Sequence, residues 1–278
     1  MTASPVWRRP APQLRPWVSA YVGYRLEDGP PGVHQGVASG HLTLILCVDG
    51  AVEILENSDP ANPPGRYAAM VAGLSDGPAR IATGEAQTGV QLELTWEGAR
   101  ALLGMPAAEI AGDSVDLTAV LGRRCTQLAE RLGEAPGWGA RFTVLDQELS
   151  AWSATGPGLT GIRPEVRRAA QLIRASGGTA RITDLAEDVG WSRRHLTELF
   201  RQETGLGPKT MARLVRFERV CRRLRQPDRP ALAAAAADAG YVDQAHLARD
   251  FRDLAGITAT EWIAERHVSA GAGDSSTT

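Results

Sequence analysis

Short apolar runs broken by glycine and proline dominate the first third of the chain. The runs lie at 41–46, 52–55, 67–74 and 89–96, and each has the length and residue types of a β-strand. Asp49 and Gly50 separate the first two runs and predict a hairpin turn between them. Many short strands with Gly and Pro turns predict a small β-barrel or a β-sandwich.

After Trp96 the apolar spacing changes from that of strands to that of helices. Segments that predict helices lie at 97–105, 106–112, 117–132, 141–152 and 164–175. Before the last of these helices, residues 154–161 are rich in Gly, Thr and Pro, a composition that is typical of a linker. The pattern therefore predicts a β-rich region, trailing helices and then a separate C-terminal part.

The C-terminal part contains nearly the same pattern twice. The first copy is D-V-G-W-S-R-R-H-L-T-E-L-F-R-Q-E-T-G at 188–205, and the second is D-A-G-Y-V-D-Q-A-H-L-A-R-D-F-R-D-L-A-G at 238–256. Both carry D-x-G-aromatic followed by H-L-x-x-x-F-R-x-x-x-G, and the second copy has one extra residue between the glycine and the helix. Such a repeat indicates a duplicated supersecondary unit.

Each copy predicts a helix-turn-helix. In the first copy Gly190 permits the turn, Ser192 caps the second helix and Gly205 ends it, and Gly240, Asp243 and Gly256 take these positions in the second copy. Between the copies, a longer helix is predicted over 208–225. Its polar side carries six arginines, Arg213, Arg216, Arg219, Arg222, Arg223 and Arg225, which either contact phosphates or form a solvated face.

This arrangement resembles the DNA-binding domain of the AraC/XylS transcription regulators, which has two helix-turn-helix units joined by a rigid helix. The resemblance covers residues near 163–266 and is carried by 185–208 and 239–258. It implies a sequence-specific DNA-binding transcription regulator whose N-terminal part serves effector sensing or dimerisation. The predicted fold is α+β and multidomain, with a small cupin-like β-barrel and trailing helices before an all-α double helix-turn-helix. The predicted domains are a regulatory domain at 1–153, a linker at 154–161, a DNA-binding domain at 162–267 and a disordered tail at 268–278.

Residues near the start of each recognition helix are the candidates for DNA contact, because this end of the helix reaches base edges. The candidates are Arg193, Arg194, Thr197, Glu198 and Arg201 in the first unit, Gln244, Ala245, His246 and Arg249 in the second, and Arg222 on the long helix, where it would contact phosphate. By resemblance, the base-reading positions are Arg194, Thr197, Glu198, Gln244, Ala245, His246 and Arg249. Glu198 has an alternative, an ion pair with Arg194 or Arg201 on the same helix. His195 is predicted to be structural.

The charge distribution supports the same division of the chain. Formal net charge is −2, but positions 161–268 hold 19 Lys and Arg against 14 Asp and Glu, whereas the remainder holds 11 against 18. Only the C-terminal part is therefore expected to meet a polyanion. All positive residues except Lys209 are arginine, which suits bidentate contacts with guanine and phosphate, although a GC-rich genome gives the same bias.

The sequence predicts no catalytic residue, no cofactor and no metal site. A metal-binding cupin needs clustered ligands, and the N-terminal half offers only His34 and His41. Cys47 lies in an apolar run, which argues against a reactive methyl-accepting thiol, and the three cysteines have no spacing of a metal site. No apolar run reaches the length of a membrane span, and the N-terminus lacks the apolar core of a signal peptide, so a cytoplasmic location without membrane contact is expected.

Partners other than double-stranded DNA stay open at the sequence level. They are RNA polymerase, a small-molecule effector and a second copy of the chain. The residues Tyr24, Leu42, Leu44, Leu46, Met70, Leu92 and Trp96 would enclose an effector or fill a solid core. Two other functions are alternatives to the regulator: a β-domain enzyme or sensor tethered to DNA, and a protein–protein adaptor whose helices bind no DNA.

Overall fold

The computed structural model describes residues 3–156, 158–226 and 228–264. In these ranges an N-terminal part made of strands and helices precedes an all-helical C-terminal part. The strands are β1 (Ala3–Arg8), β2 (Val18–Leu26), β3 (Gly32–Gly36), β4 (Leu42–Asp49), β5 (Val52–Glu56), β6 (Gly65–Tyr67), β7 (Ala69–Ala72), β8 (Ala79–Thr83), β9 (Gln87–Leu94) and β10 (Ser114–Asp116).

The strands form two antiparallel sheets. The larger has the order β1-β2-β9-β4-β7-β10 and the smaller the order β3-β8-β5-β6. No ladder joins the two sheets within the described ranges, so the described strands form two sheets and a closed barrel is not shown. The predicted hairpin at Asp49 and Gly50 is wrong, because β4 and β5 belong to different sheets. Gly50 (φ 76°) lets the chain turn from one sheet to the other where a Cβ atom would lie 2.6 Å from the Ala86 carbonyl oxygen.

The pleat of β4 separates two apolar layers. Leu42, Leu44 and Leu46 are buried in the main core, on the face that the helices cover. Ile45 pairs with Met70, and both pack with Val52 and Ile54 of the smaller sheet, on the opposite face. The seven residues proposed to enclose an effector therefore do not line one cavity, because side chains alternate between the faces of a strand.

The helices of the N-terminal part are α1 (Trp96–Gly98), which continues as a π-helical turn over Ala99–Leu103, then α2 (Leu117–Leu121), α3 (Arg123–Glu134) and α4 (Trp138–Thr155). Helix α4 is tied to the edge of the larger sheet by Asp146. This carboxylate accepts hydrogen bonds from Arg8 at 2.9 Å, from the Ala11 N–H at 2.9 Å and from the Tyr21 hydroxyl at 3.1 Å. Burial, followed by this contact, raises the pKa of Tyr21.

The C-terminal part consists of α5 (Pro164–Ala175), α6 (Ile182–Asp188), α7 (Arg193–Thr204), α8 (Pro208–Arg225), α9 (Leu232–Asp238), α10 (Gln244–Ala255) and α11 (Ala259–Ala264). The bounds predicted for α5 and α8 are confirmed. Helix α4 extends to Thr155, so its last two residues lie inside the segment predicted as linker. The tail at 268–278, and the end of the predicted DNA-binding domain, lie outside the described residues. None of the helices within these ranges is both long and apolar enough to span a bilayer.

The two parts share one hydrophobic core and a polar junction. At this junction Arg100 donates two hydrogen bonds of 3.1 Å to the two carboxylate oxygens of Glu203 on α7. Glu218 on α8 accepts from the Gly40 N–H at 2.9 Å and lies 3.5 Å from Nδ1 of His41. The Leu254 carbonyl on α10 accepts from the Ala38 N–H at 2.7 Å. The N-terminal part therefore contacts both repeated units and the helix between them.

Candidate nucleic-acid interface

Local sequence signals build both helix-turn-helix units, α6–α7 and α9–α10. The Ser192 hydroxyl accepts a hydrogen bond from the His195 N–H at 3.2 Å, and an Asp243 carboxylate oxygen accepts one from the His246 N–H at 2.7 Å. These bonds satisfy backbone donors that the first turn of a helix leaves without partners. Both predicted caps are confirmed, and so are the left-handed glycines of the turns, Gly190 (φ 71°) and Gly240 (φ 81°).

The two histidines of the repeat make the same contact. His195 packs edge-on against Trp191, and His246 packs edge-on against Tyr241, each with ring centroids 4.9 Å apart. This contact fits the structural role predicted for His195. The sequence interpretation gave the second histidine a base-reading role instead, and that role stays a prediction for a half-buried ring.

Helix α10 is fixed to α8 by a buried polar cluster. Asp250, which is 2% exposed, accepts hydrogen bonds from Arg213 at 2.7 Å and from the Tyr241 hydroxyl at 2.8 Å. Arg213 also pairs with the exposed Asp253. Burial, followed by the charge of Asp250, raises the pKa of Tyr241, so the hydroxyl stays protonated and donates. The second recognition helix thus has a defined position relative to α8.

Most of the arginines on α8 hold the fold. Besides Arg213, Arg216 donates to the Gly178 carbonyl at 2.5 Å, and Arg223 pairs with Asp228 at 3.0 Å. The guanidinium of Arg225 lies 4.7 Å from the ring centroid of Trp262, and burial lowers its pKa. Arg219 and Arg222 remain exposed on this helix. The arginines of α8 therefore form neither one phosphate-binding face nor one solvated face.

The first recognition helix, α7, borders an open groove of about 1050 Å³. All five first-unit candidates line it, namely Arg193, Arg194, Thr197, Glu198 and Arg201. Lys209 and Thr210, from the start of α8, line the same groove, and sequence reasoning missed them. The available signal was Pro208, which predicts that a helix begins here, shortly after the end of α7.

The polar groups in this groove are differently engaged. The Thr197 hydroxyl donates to the Arg193 carbonyl at 2.8 Å, so its side chain is partly committed to the helix. Within the described part of the chain Glu198 forms no ion pair with Arg194 or Arg201. All three of these charged side chains are exposed. The alternative of an internal ion pair is therefore not realised, and the carboxylate faces the same groove as the guanidinium groups.

The second unit presents a less cationic surface. Gln244, Ala245 and Arg249 are exposed near the start of α10. Arg222 lies with Arg219 and Arg223 in a separate hollow of about 290 Å³, which Asp238 of α9 also borders. No group of three His, Cys, Asp or Glu side chains in the described ranges is placed to hold a metal ion. What the surface offers is hydrogen-bonding side chains at two helix N-termini, with arginines nearby.

Comparison with known proteins agrees with this geometry. Residues 185–265 match the model of a helix-turn-helix domain family. ToxT from Vibrio cholerae, in a crystal form solved at 1.65 Å, is 9% identical with a TM-score of 0.54 over 88% of this chain and 97% of that one. An apo variant of ToxT from strain SCE256 of the same species is 10% identical, with a TM-score of 0.57 over 92% and 99%.

A third structure, wild-type ToxT from that strain with an unsaturated fatty acid bound, is 8% identical, with a TM-score of 0.53 over 87% and 94%. At such low identities the structural likeness shows a shared fold alone, and it spans both parts of the chain. No curated protein matches the sequence. The repeat, its caps and the family match together identify the C-terminal part as an AraC-type helix-turn-helix domain, and the protein as a DNA-binding transcription regulator.

Proposed function

We propose that α7 and α10 enter successive major grooves of duplex DNA and read base edges with residues of their first turns. The observation that carries this proposal is the open groove beside α7, where the five candidates of the first unit meet. Arginine binds guanine O6 and N7 in a bidentate manner, and glutamine binds adenine N6 and N7. Arg194 and Arg249 are the proposed guanine readers, Gln244 is the proposed adenine reader, and Arg219 and Arg222 face phosphates.

The N-terminal part is proposed to control this binding through the junction. Glu203 and Glu218, which contact it, lie on α7 and α8, so a change in the N-terminal part acts on the first recognition helix and on the helix that links the units. Two facing antiparallel sheets are also the layout of cupins, which supports a cupin-like barrel.

The effector that would act on this part is proposed to be a small apolar molecule. The support is the structure of ToxT with an unsaturated fatty acid bound, whose fold this chain shares. A second copy of the chain and RNA polymerase are further proposed partners, and neither is required for the binding test.

Selection of binding sites from random duplex DNA with the full-length protein tests the proposed function. We expect an enriched motif with two half-sites about one helical turn apart, ~34 Å. Affinity for this motif should fall steeply as salt increases, because phosphate contacts release counterions. Arg124→Ala, which removes an exposed arginine of α3, is the matched control and should leave the motif and its affinity unchanged.

The other functions give different results. A protein–protein adaptor would enrich no motif and would show no salt-dependent binding to DNA. A tethered enzyme or sensor would carry a stoichiometric metal, which elemental analysis of the purified protein detects. If a motif is enriched only when a fatty acid is added, the regulator function stands and the effector is a fatty acid. Repeating the selection with fatty acids of increasing length then shows which chain lengths are active.

A further inference from the structure

The extra residue of the second repeat is Val242, and its side chain is almost fully open. It is 90% exposed, whereas the other exposed large apolar side chains of the described ranges, Val6, Val33 and Leu55, are 38–47% exposed. Isolated apolar residues on a surface are ordinary. Val242 differs from them in the degree of its exposure and in where it lies.

Val242 lies directly before the N-cap of the second recognition helix. Asp243, the next residue, holds the His246 N–H, and the exposed Gln244 and Ala245 follow as the first residues of α10. The N-terminal end of a recognition helix is the end that approaches base pairs. In the first unit Trp191 leads directly to the cap residue Ser192, so that unit has no counterpart of Val242.

A valine recognises one feature of the major groove. It cannot donate or accept a hydrogen bond, and the apolar group that base pairs present there is the C5 methyl of thymine. Asp243 does not compete for this role, because its carboxylate caps the helix. We propose that Val242 is a specificity-determining residue, which contacts the methyl group of one thymine in the half-site read by the second unit.

This inference rests on the proposed function, and the same selected motif serves its test. Each thymine of the second half-site is replaced in turn by deoxyuridine, which lacks only the methyl group. We expect one replacement to weaken binding of the wild-type protein about fourfold, the loss of one buried methyl-sized contact. Val242→Ser should bind the thymine site about fourfold more weakly than wild type and should not respond to that replacement.

Two further variants make the test specific. Val33→Ser changes an exposed valine of β3 and should keep the wild-type response to deoxyuridine. Ala245→Gly tests the other small apolar side chain at this end of α10. If Val242 makes the methyl contact, this variant still distinguishes thymine from deoxyuridine, whatever its overall affinity. Thermal unfolding of Val242→Ser should match that of wild type, since the side chain it removes is exposed.

Three outcomes overturn the inference. They are a wild-type protein that is indifferent to every replacement, a Val242→Ser variant that still responds, and a response that only Ala245→Gly abolishes. In each of these cases the selected motif remains and the proposed function stands. Failure of the selection itself to give any motif would overturn both.

Discussion

At the scale of single residues, the guanidinium groups of the C-terminal part divide into two sets. Arg213, Arg216 and Arg225 are committed to carboxylates, carbonyls or an aromatic ring within the fold. Arg194 and Arg222 are exposed beside the proposed DNA surface. Substitution of the first set should therefore affect stability, and substitution of the second set should affect binding.

Arg194 and Arg222 should differ in what they contribute to binding. Arg194→Ala should reduce discrimination at one base pair by about 1–3 kcal/mol, because a bidentate base contact is lost. Arg222→Ala should weaken binding to all sequences alike and lower the salt slope by about one. Titration of both variants against selected and random duplexes at several salt concentrations measures the two effects. An equal loss on both duplexes for Arg194→Ala would contradict its role.

Asp250 and Asp253 bind the same arginine but differ in burial, with side chains that are 3% and 58% exposed. Asp250→Ala should lower the free energy of unfolding by about 3–5 kcal/mol. The reason is that Arg213 loses its buried carboxylate partner and the Tyr241 hydroxyl loses its acceptor. Asp253→Ala should cost about 1 kcal/mol or less, since an exposed pair contributes little. Denaturant unfolding compares them, and equal losses would be evidence against the buried cluster as the anchor of α10.

At the scale of elements, the ends of the recognition helices combine stability with binding. The caps Ser192 and Asp243 fix where α7 and α10 begin, and the residues that follow each cap are those proposed to meet DNA. A frayed first turn would therefore lose both helix and base contacts. Asp243 differs from Ser192 in carrying a negative charge at the proposed DNA surface.

Substitution of Asp243 separates these two effects. Asp243→Ala should lower the free energy of unfolding by about 1 kcal/mol, through loss of the cap to the His246 N–H. Asp243→Asn keeps a good capping oxygen, so stability should change little, while affinity for all duplexes should rise as a negative charge is removed. Thermal unfolding and DNA titration measure the pair. If Asp243→Asn and Asp243→Ala had equal free energies of unfolding, loss of the cap would be excluded as the cause of the destabilisation.

At the scale of the whole molecule, the junction joins the two parts by apolar packing and by ion pairs. One hydrophobic core includes residues of the larger sheet, of α4 and of the helices of the C-terminal part. The ion pairs Arg100–Glu203 and Arg174–Glu97 connect the parts at separate points, with closest distances of 3.0 Å. We expect unfolding to be a single transition, and a change at the junction to be felt at both recognition helices.

We expect the pair His41–Glu218 to make the stability of the junction depend on pH. Burial opposes the charged form of His41 and lowers its pKa. The charge and hydrogen bond of Glu218 outweigh this effect and raise the pKa of His41 to about 9. Glu93 adds a smaller increase and Arg174 a decrease. A histidine with a raised pKa in the folded state stabilises it fully below its unfolded pKa of 6.5, and this contribution is lost as pH rises through 9. The melting temperature of wild type should therefore decrease over this window relative to that of Glu218→Gln.

The Glu218→Gln variant keeps an oxygen for the Gly40 N–H but removes the charge that His41 senses. Glu85→Gln, which neutralises an exposed partner of Arg66, is the matched control and should follow the wild-type profile. Melting curves recorded at intervals between pH 6 and pH 10 make the comparison. Parallel profiles for wild type and Glu218→Gln would show that protonation of His41 does not change the stability of the junction.

The sequence by itself determined the features that depend on neighbouring residues. Helix α8 begins at Pro208 and ends at Arg225 as predicted, and the caps at Ser192 and Asp243 are where the repeat placed them. Capping, turn glycines and helical periodicity act within a few residues, so a linear pattern contains them. The duplicated unit followed from such local signals, whereas its DNA-binding function was implied by the resemblance to the AraC/XylS domain.

Only the tertiary structure decided which strands pair and which arginines are free. Asp49 and Gly50 read as a hairpin, yet β4 pairs with β7 and β9, and β5 pairs with β6 and β8. Strand pairing joins residues far apart in sequence, so a local turn signal does not specify it. In the same way, six similar arginines on α8 differ because Asp250, Gly178 and Trp262 approach some of them from other elements, and such partners are set by packing.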